Sequence, residues 1–466
     1  MKFIKGVNRM KKRVFYLNAV ILTASSVLLR LSNIWFRVFI CSKIGASGMG
    51  LYQLILSVFI LGITLSTSGV GLAVTRLVAE GRGTRDSIRR CVCYALVLSL
   101  AAAGALFTCA DFISVHFIGD AVAAAPLRIL APSLPLIAIG ACLKGYFLAI
   151  RNTIVPACGE WLEQFVTIGA SIFLFTRLAA PLEALMLGST IGEVFSCAYI
   201  VVLYLIFAGR RGLSKAKSSG VFQSVVHIAA PVLFGSFFRG LLSSTENILI
   251  PRGLRKYGAG DSGALAQYGT MQGMVMPILY FPSAFLAALS MLLIPEMAEA
   301  NAGGKRATIQ RSVEKAMRFT LTFSFLMTSV LIVFADSIGM AFYKSTQVGN
   351  ILRIMAPILP LMYLDSVVDG MLKGLDQQLY SLKYNFSDSV MRVLLIAGLV
   401  PVFGIRAYIA ILFMSEIYNA SLSINRLLKV TAIEVDVVGW ILTPAVLAAL
   451  LYYLLLLLQK ALCFAV

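Results

Sequence analysis

Residues 127–136 read LRILAPSLPL and residues 352–361 read LRIMAPILPL, eight identities in ten positions at an offset of 225. Internal similarity of this kind marks a duplicated structural unit. Working outward, Leu-Lys-Gly recurs at 143–145 and 372–374 with offset 229, as if one helical turn had been inserted. Upstream, GRGTRDSIRR from Gly81 aligns with GGKRATIQR from Gly303 at offset 221, Tyr52 with Tyr268 at 216, and Arg30 with Arg239 at 209. The offsets rise steadily along the chain, so the two halves are collinear.

The composition says where those halves reside. Of 466 residues, 59% are hydrophobic and 13% charged, with mean hydropathy +0.89. Soluble domains have about 45–50% apolar and about 25% charged residues, so the excess apolar surface belongs in a bilayer. A crossing helix needs about 20 mostly apolar residues. Apolar stretches run at 14–40, 50–75, 91–110, 125–150, 156–178, 183–208, 221–250, 264–294, 316–336, 348–372, 380–403, 406–425 and 436–463, thirteen expected spans. The expected organisation is a basic N-terminus (1–13), a six-helix lobe (14–208), a linker (209–220), a second six-helix lobe (221–430) and an extra C-terminal transmembrane helix (431–466). The fold class is therefore an all-α polytopic membrane protein. Six spans per half is an even number, so both repeats enter the membrane in the same direction, related by a pseudo-two-fold axis along the membrane normal around a central cavity.

Charge sets the orientation. There are 40 Lys and Arg against 21 Asp and Glu, and in a membrane chain such an excess reflects the positive-inside rule and anionic inner-leaflet lipid, not nucleic acid. With the N-terminus inside, the inner segments hold 26 Lys and Arg and the outer ones 10. A cytoplasmic N-terminus in the plasma membrane is the expectation. The first apolar stretch follows six basic residues and continues through Arg30 and Arg37, so it reads as a retained span and not a cleaved signal peptide. Eight cysteines without a C-x-x-C pair, and only His116 and His227 as histidines, leave no zinc or redox motif. No resident cofactor or metal is expected.

Parallel repeats are one architecture of secondary transporters, which bind substrate at the repeat interface and alternate access by rocking. Polar residues inside the spans indicate the substrate. Thr23, Ser26, Arg30, Asn33 and Arg37 are spaced 3, 4, 3, 4, and Ser236, Arg239, Ser243 and Glu246 are spaced 3, 4, 3, so each set occupies one helix face. An arginine at mid-bilayer costs about 2.5–3.5 kcal/mol on insertion scales; such stripes should line a watery cavity. Guanidinium also suits bidentate contact with phosphate or carboxylate. Arg30, Asn33, Arg37, Arg239, Glu246 and Arg392 are the candidate substrate contacts, with snorkelling of Arg37, an Arg239–Glu246 network and an Arg392–Asp388 pair as structural alternatives. Glu160, Glu163, Asp365, Asp369 and Asp388 are the candidates for coupling to Na+ or H+, alongside a structural Asp365–Asp369–Lys373 ladder. Glu193 and Glu416 join the same intramembrane acidic group.

Residues 22–81, LTASSVLLRLSNIWFRVFICSKIGASGMGLYQLILSVFILGITLSTSGVGLAVTRLVAEG, and 143–166, LKGYFLAIRNTIVPACGEWLEQFV, resemble the stage V sporulation protein B branch of the polysaccharide biosynthesis flippases. These belong to the multidrug/oligosaccharidyl-lipid/polysaccharide exporter superfamily, which includes the lipid II flippases. The diagnostic patterns are the GxGLYQ turn at 48–53, the span end at 67–80 and the LKGYF-to-EQ segment. The resemblance implies two six-helix lobes that carry a polyprenyl-pyrophosphate-linked saccharide, a polysaccharide repeat unit or a peptidoglycan precursor, from the inner to the outer leaflet. It places the family's basic cavity residues at Arg30 and Arg37. Members typically have fourteen spans, one more than counted here.

Transport makes and breaks no bond, so the chain is expected not to be an enzyme, with a cell-wall or polysaccharide polymerase as the natural downstream partner. The alternatives are a cation-coupled multidrug exporter of the same superfamily, which an arginine-rich cavity suits poorly, and a membrane glycosyltransferase or ligase. The latter would need a large outer loop carrying catalytic groups, and the longest outer loop here is about a dozen residues.

Overall fold

Lipid offers backbone groups no hydrogen bonds, so a chain this apolar satisfies them internally. The computed structural model describes residues 2–80, 84–210 and 221–465, and side chains at 25, 27–80, 84–208 and 225–460. These residues form helices and no strand. The side chains of the N-terminal basic residues and of Thr23 and Ser26, and linker residues 211–220, lie outside the described residues.

In chain order the longer helices are α1 (Lys2–Thr67), α2 (Val70–Ala79), α3 (Arg85–Thr108), α4 (Ser133–Ala149), α5 (Ile154–Phe175), α6 (Pro181–Arg210) and α7 (Val221–Lys256). They continue as α8 (Ser283–Ala302), α9 (Arg306–Tyr343), α10 (Thr346–Gly374), α11 (Gln378–Phe403), α12 (Ile405–Thr431) and α13 (Thr443–Ala465). Among the described residues ten helices are long and apolar enough to cross a bilayer, or eleven when Ala121–Leu130 and Ser133–Ala149, bent by 42°, count as one span. The longest of the ten, Val27–Ala79, contains the second expected span, 50–75, and the C-terminal part of the first, 14–40. They are separated at Gly45, whose φ of 68° breaks α1. The stretch at 48–53, expected as a turn, is helical. The break lies just before it, at the residue whose backbone takes the left-handed conformation that glycine tolerates best. The expected span at 156–178 is helical as α5, made less apolar by Glu160, Glu163 and Gln164.

Contacts divide the chain into two compact units, Met1–Phe36 with Leu51–Ile248, and Arg37–Gly50 with Leu249–Val466. This differs from a division at 209–220. In the first unit, the Ser244 hydroxyl donates to the Ser57 carbonyl at 2.9 Å. Gly69, at φ 79°, sits where a Cβ would come within 2.6 Å of the Ala229 backbone, which binds the start of α7 to the α1–α2 joint. The core of this unit lies where α2, α3 and α4 meet, around Val74, Leu77, Cys91, Ala95, Cys142 and Tyr146. In the second unit, Gly50 meets the Leu265 carbonyl so closely that a Cβ would lie 2.1 Å from its oxygen, which ties residues 37–50 to the segment after α7. There α13 packs on α9, where the Ser329 hydroxyl donates to the Ala448 carbonyl at 2.8 Å.

The repeated decapeptide carries the same local device in each unit. Arg128 pairs with Asp111 and Arg353 with Asp336, both at 2.5 Å and both across 17 residues. Between the partners, Gly119 (φ 77°) and Lys344 (φ 51°) end one helix in the left-handed region. The next residues, Asp120 and Ser345, accept the backbone N–H of Val122 and Val348 to start another. The glycine of each Leu-Lys-Gly is a close-approach point: a Cβ on Gly145 would lie 2.5 Å from the Gly71 carbonyl oxygen, and one on Gly374 would lie 2.6 Å from that of Ile294.

Gly145→Leu forces α2 and α4 apart and is expected to destabilise the protein by at least about 1–3 kcal/mol. In a detergent melting assay it should lower the midpoint or abolish folded yield. Gly104→Ala, where a Cβ meets nothing within 4 Å, should leave the midpoint unchanged or raise it.

Candidate functional site

Within the first unit, the C-terminal half of α1 and the middle of α7 border an open cavity of about 330 Å3. Its lining is Ser57, Ile60 and Thr64 from α1, Ser68 from the turn that follows it, and Ser236, Arg239, Gly240, Ser243, Ser244 and Asn247 from α7. Spacings of three and four place each set along one helix face. Eight of the ten lining residues carry hydrogen-bonding side chains, six of them hydroxyls. Arg239 is exposed, in keeping with a hydrated guanidinium. Gly240 keeps the two helices close, since a Cβ there would lie 3.2 Å from the Leu61 side chain.

The stripe Ser236, Arg239, Ser243 was legible from spacing, but its fourth expected member is displaced. Glu246 is buried and does not line the cavity, and Asn247 and Ser244 take that place. The facing stripe on α1 escaped sequence reading because hydroxyls in apolar helices hide by bonding their own backbone. Thr64 donates to the Ile60 carbonyl at 2.8 Å, which leaves its lone pairs toward the cavity as acceptors. A spacing of seven and four from Ser57 to Thr64 to Ser68 was the available signal.

The other candidates are dispersed. Arg30 and Asn33 are exposed on α1 in the first unit and do not line this cavity. Arg37 belongs to the second unit, half-buried within electrostatic range of the half-buried Tyr343. Glu160 is exposed on α5, and Glu163 accepts the Ser196 hydroxyl of α6 at 3.2 Å.

In the second unit the acids form a network across α10, α11 and α12. Asp388 accepts the Ser415 hydroxyl at 2.6 Å and lies 3.5 Å from Arg392 Nε, so the sequence alternative of an Arg392–Asp388 pair is the arrangement present. Asp369 pairs with Lys373 at 2.6 Å. Asp365 leaves that ladder and accepts Asn419 Nδ2 at 3.0 Å, while the same amide donates to Asn385 Oδ1 at 3.1 Å. Asp365 Oδ1 and Asn419 Oδ1 are both buried and accept no hydrogen bond among the described residues. Sequence reading missed Asn385, Ser415 and Asn419; the polar pairs Asn385/Asp388 and Ser415/Asn419, three and four residues apart, were the signal.

An arginine in a hydroxyl-lined cavity between apolar helices defines the class, a multi-pass helical membrane protein with a polar binding chamber. Comparison with known proteins defines the family. Residues 16–301 match the polysaccharide biosynthesis protein family and residues 258–397 match MatE. The chain belongs to the polysaccharide biosynthesis protein family. It is 28% identical over 383 residues to stage V sporulation protein B of Bacillus subtilis (strain 168), covering 79% of this chain and 74% of that protein. The fold resembles that of the lipid II flippase MurJ in an inward closed conformation, with TM-score 0.69, 15% identity, and 95% of this chain and all of that one covered. It also resembles an inward-facing multidrug resistance MATE family transporter of the MOP superfamily, with TM-score 0.64, 16% identity, and 88% and 100% covered. At such identities these two structures establish the fold alone.

Asn419→Leu removes the amide that holds Asp365 and leaves a buried carboxylate without that donor. It should cost about 1.5–3 kcal/mol, read as a lowered melting midpoint in detergent, whereas Ser421→Ala, at an exposed position on the same helix, should not shift it.

Proposed function

We propose that the protein is a flippase that moves a polyprenyl-pyrophosphate-linked saccharide, a polysaccharide repeat unit or a peptidoglycan precursor, from the inner to the outer leaflet by alternating access. The carrying observation is Arg239 among six hydroxyls in a membrane-embedded cavity. A pyrophosphate crossing hydrocarbon unaided forfeits the solvation of its charges. A guanidinium replaces that solvation with charge-assisted, forked hydrogen bonds, and Ser and Thr hydroxyls exchange for the water around a sugar. In this reading Arg239 is the principal phosphate contact and Arg30 and Asn33 extend the polar path along α1. Membership of the polysaccharide biosynthesis protein family supports the substrate class. The N-terminus is cytoplasmic, as the lysine and arginine count favours, and a polymerase consumes the exported unit.

Coupling belongs to the acidic network of the second unit. Two buried, unsatisfied oxygens, Asp365 Oδ1 and Asn419 Oδ1, are the chemistry that a proton or Na+ satisfies, with Asp369 and Asp388 adjoining and Glu160 and Glu163 as the candidates of the first unit. A multidrug exporter shares the fold, but a guanidinium at the cavity wall repels cationic drugs.

The test is flipping of a fluorescent lipid-linked saccharide in proteoliposomes, scored by dithionite or lectin access. Arg239→Ala should reduce the rate at least about tenfold, the value of one charge-assisted contact, with an unchanged melting midpoint, and Arg239→Lys should retain part of it. Unchanged flipping by Arg239→Ala, or dye-cation transport without lipid transport, would overturn the reading. Asp365→Asn should abolish the stimulation of flipping by an imposed Na+ or pH gradient while leaving downhill exchange; stimulation that survives removes Asp365 from coupling.

A further inference from the structure

A second cavity lies elsewhere in the first unit, at the head of α3. It is an open cavity of about 440 Å3 lined by Arg85, Asp86, Ile88, Arg89, Val92, Cys93 and Tyr204. The one acid in it is engaged outside the cavity chemistry: Asp86 Oδ2 accepts Arg90 Nε at 2.9 Å. Arg85 and Arg89, one helical turn apart and both exposed, have no acidic partner among the described residues. The cavity therefore presents two guanidiniums above an apolar floor.

The floor continues down the same helix. Cys93, Val97 and Leu100 follow Arg89 at intervals of four, four and three, and all are exposed, Val97 at 68% and Leu100 at 59%. Eleven residues from Arg89 to Leu100 span about 16 Å at 1.5 Å per residue, roughly half of a ~30 Å hydrocarbon core. A charged head with an apolar track one leaflet deep has the dimensions of a single phospholipid. We propose that this is a binding site for an anionic diacyl phospholipid, its phosphodiester between Arg85 and Arg89 and one acyl chain along Cys93, Val97 and Leu100. Anionic headgroups are favoured because a zwitterionic one would bring its ammonium to the guanidiniums. A soluble phosphate would gain nothing from the apolar track. The site is built from α3 and α6 and shares no residue with the Arg239 cavity, so it stands or falls separately from the transport reading.

The experiment uses the full-length protein in phosphatidylcholine nanodiscs doped with a phosphatidylglycerol carrying a photoreactive group mid-chain. Crosslinked peptides are mapped by mass spectrometry. Crosslinks should concentrate at residues 93–100, with about thirtyfold preference over a photoreactive phosphatidylcholine, the effect of two interfacial arginines. Arg85→Gln/Arg89→Gln should reduce labelling to the phosphatidylcholine level while flipping of the saccharide lipid persists. Unlabelled phosphatidylglycerol should compete, and inorganic phosphate should not. Equal labelling by the two probes in the wild-type protein, which needs no variant to fold, would overturn the proposal. So would displacement by inorganic phosphate, which marks a soluble-anion site, or displacement by a polyprenyl pyrophosphate in preference to phosphatidylglycerol, which marks a substrate site.

Discussion

A guanidinium between apolar helices must be hydrated or paired, and which of the two occurs decides what the helices around it are for. Arg239 takes the first course. It opens on a cavity whose walls supply six hydroxyls and an amide, and polar groups at that density hold water or a polar ligand. Arg392 takes the second, held against Asp388. The same residue type therefore marks a chamber in one compact unit and a structural network in the other, and the difference lies in the neighbours, not in the arginine.

Close packing makes the chamber. Helices in lipid gain little from burying apolar area and associate through small residues that let backbones approach. Gly69 against Ala229, Gly240 against Leu61 and Gly145 against Gly71 are such contacts in the first unit, and Gly50 against Leu265 and Gly374 against Ile294 in the second. With the helices fixed at these points, the hydroxyl faces of α1 and α7 face each other instead of acyl chains.

The sequence disclosed the class of fold through composition. The structure adds what the two similar decapeptides share locally: the Asp111–Arg128 and Asp336–Arg353 pairs and the left-handed residues Gly119 and Lys344 between them. No spacing rule indicates a pair 17 residues apart across a helix break. Half of the cavity was legible, because Ser236, Arg239 and Ser243 repeat at helical intervals around a charge. The facing stripe was not, because Ser57, Thr64 and Ser68 stand seven and four residues apart in an otherwise apolar run with no charge to mark them, and Thr64 turns its proton to its own backbone. Glu246 was assigned to the polar face by periodicity, but a single residue of helical drift placed Asn247 there and buried the glutamate. Contacts group residues 51–248 with the first unit and 37–50 with the second, and no composition signal in the sequence marks those boundaries.

The central claim is that the face of α7 bearing Arg239 is wet within the membrane. In a background lacking the native cysteines, Ser243→Cys should react in intact membranes with a charged, water-soluble thiol reagent, while Phe238→Cys, an exposed apolar position on the same helix, should react only with a lipid-soluble maleimide. Equal resistance of both positions to the charged reagent would contradict a hydrated chamber around Arg239.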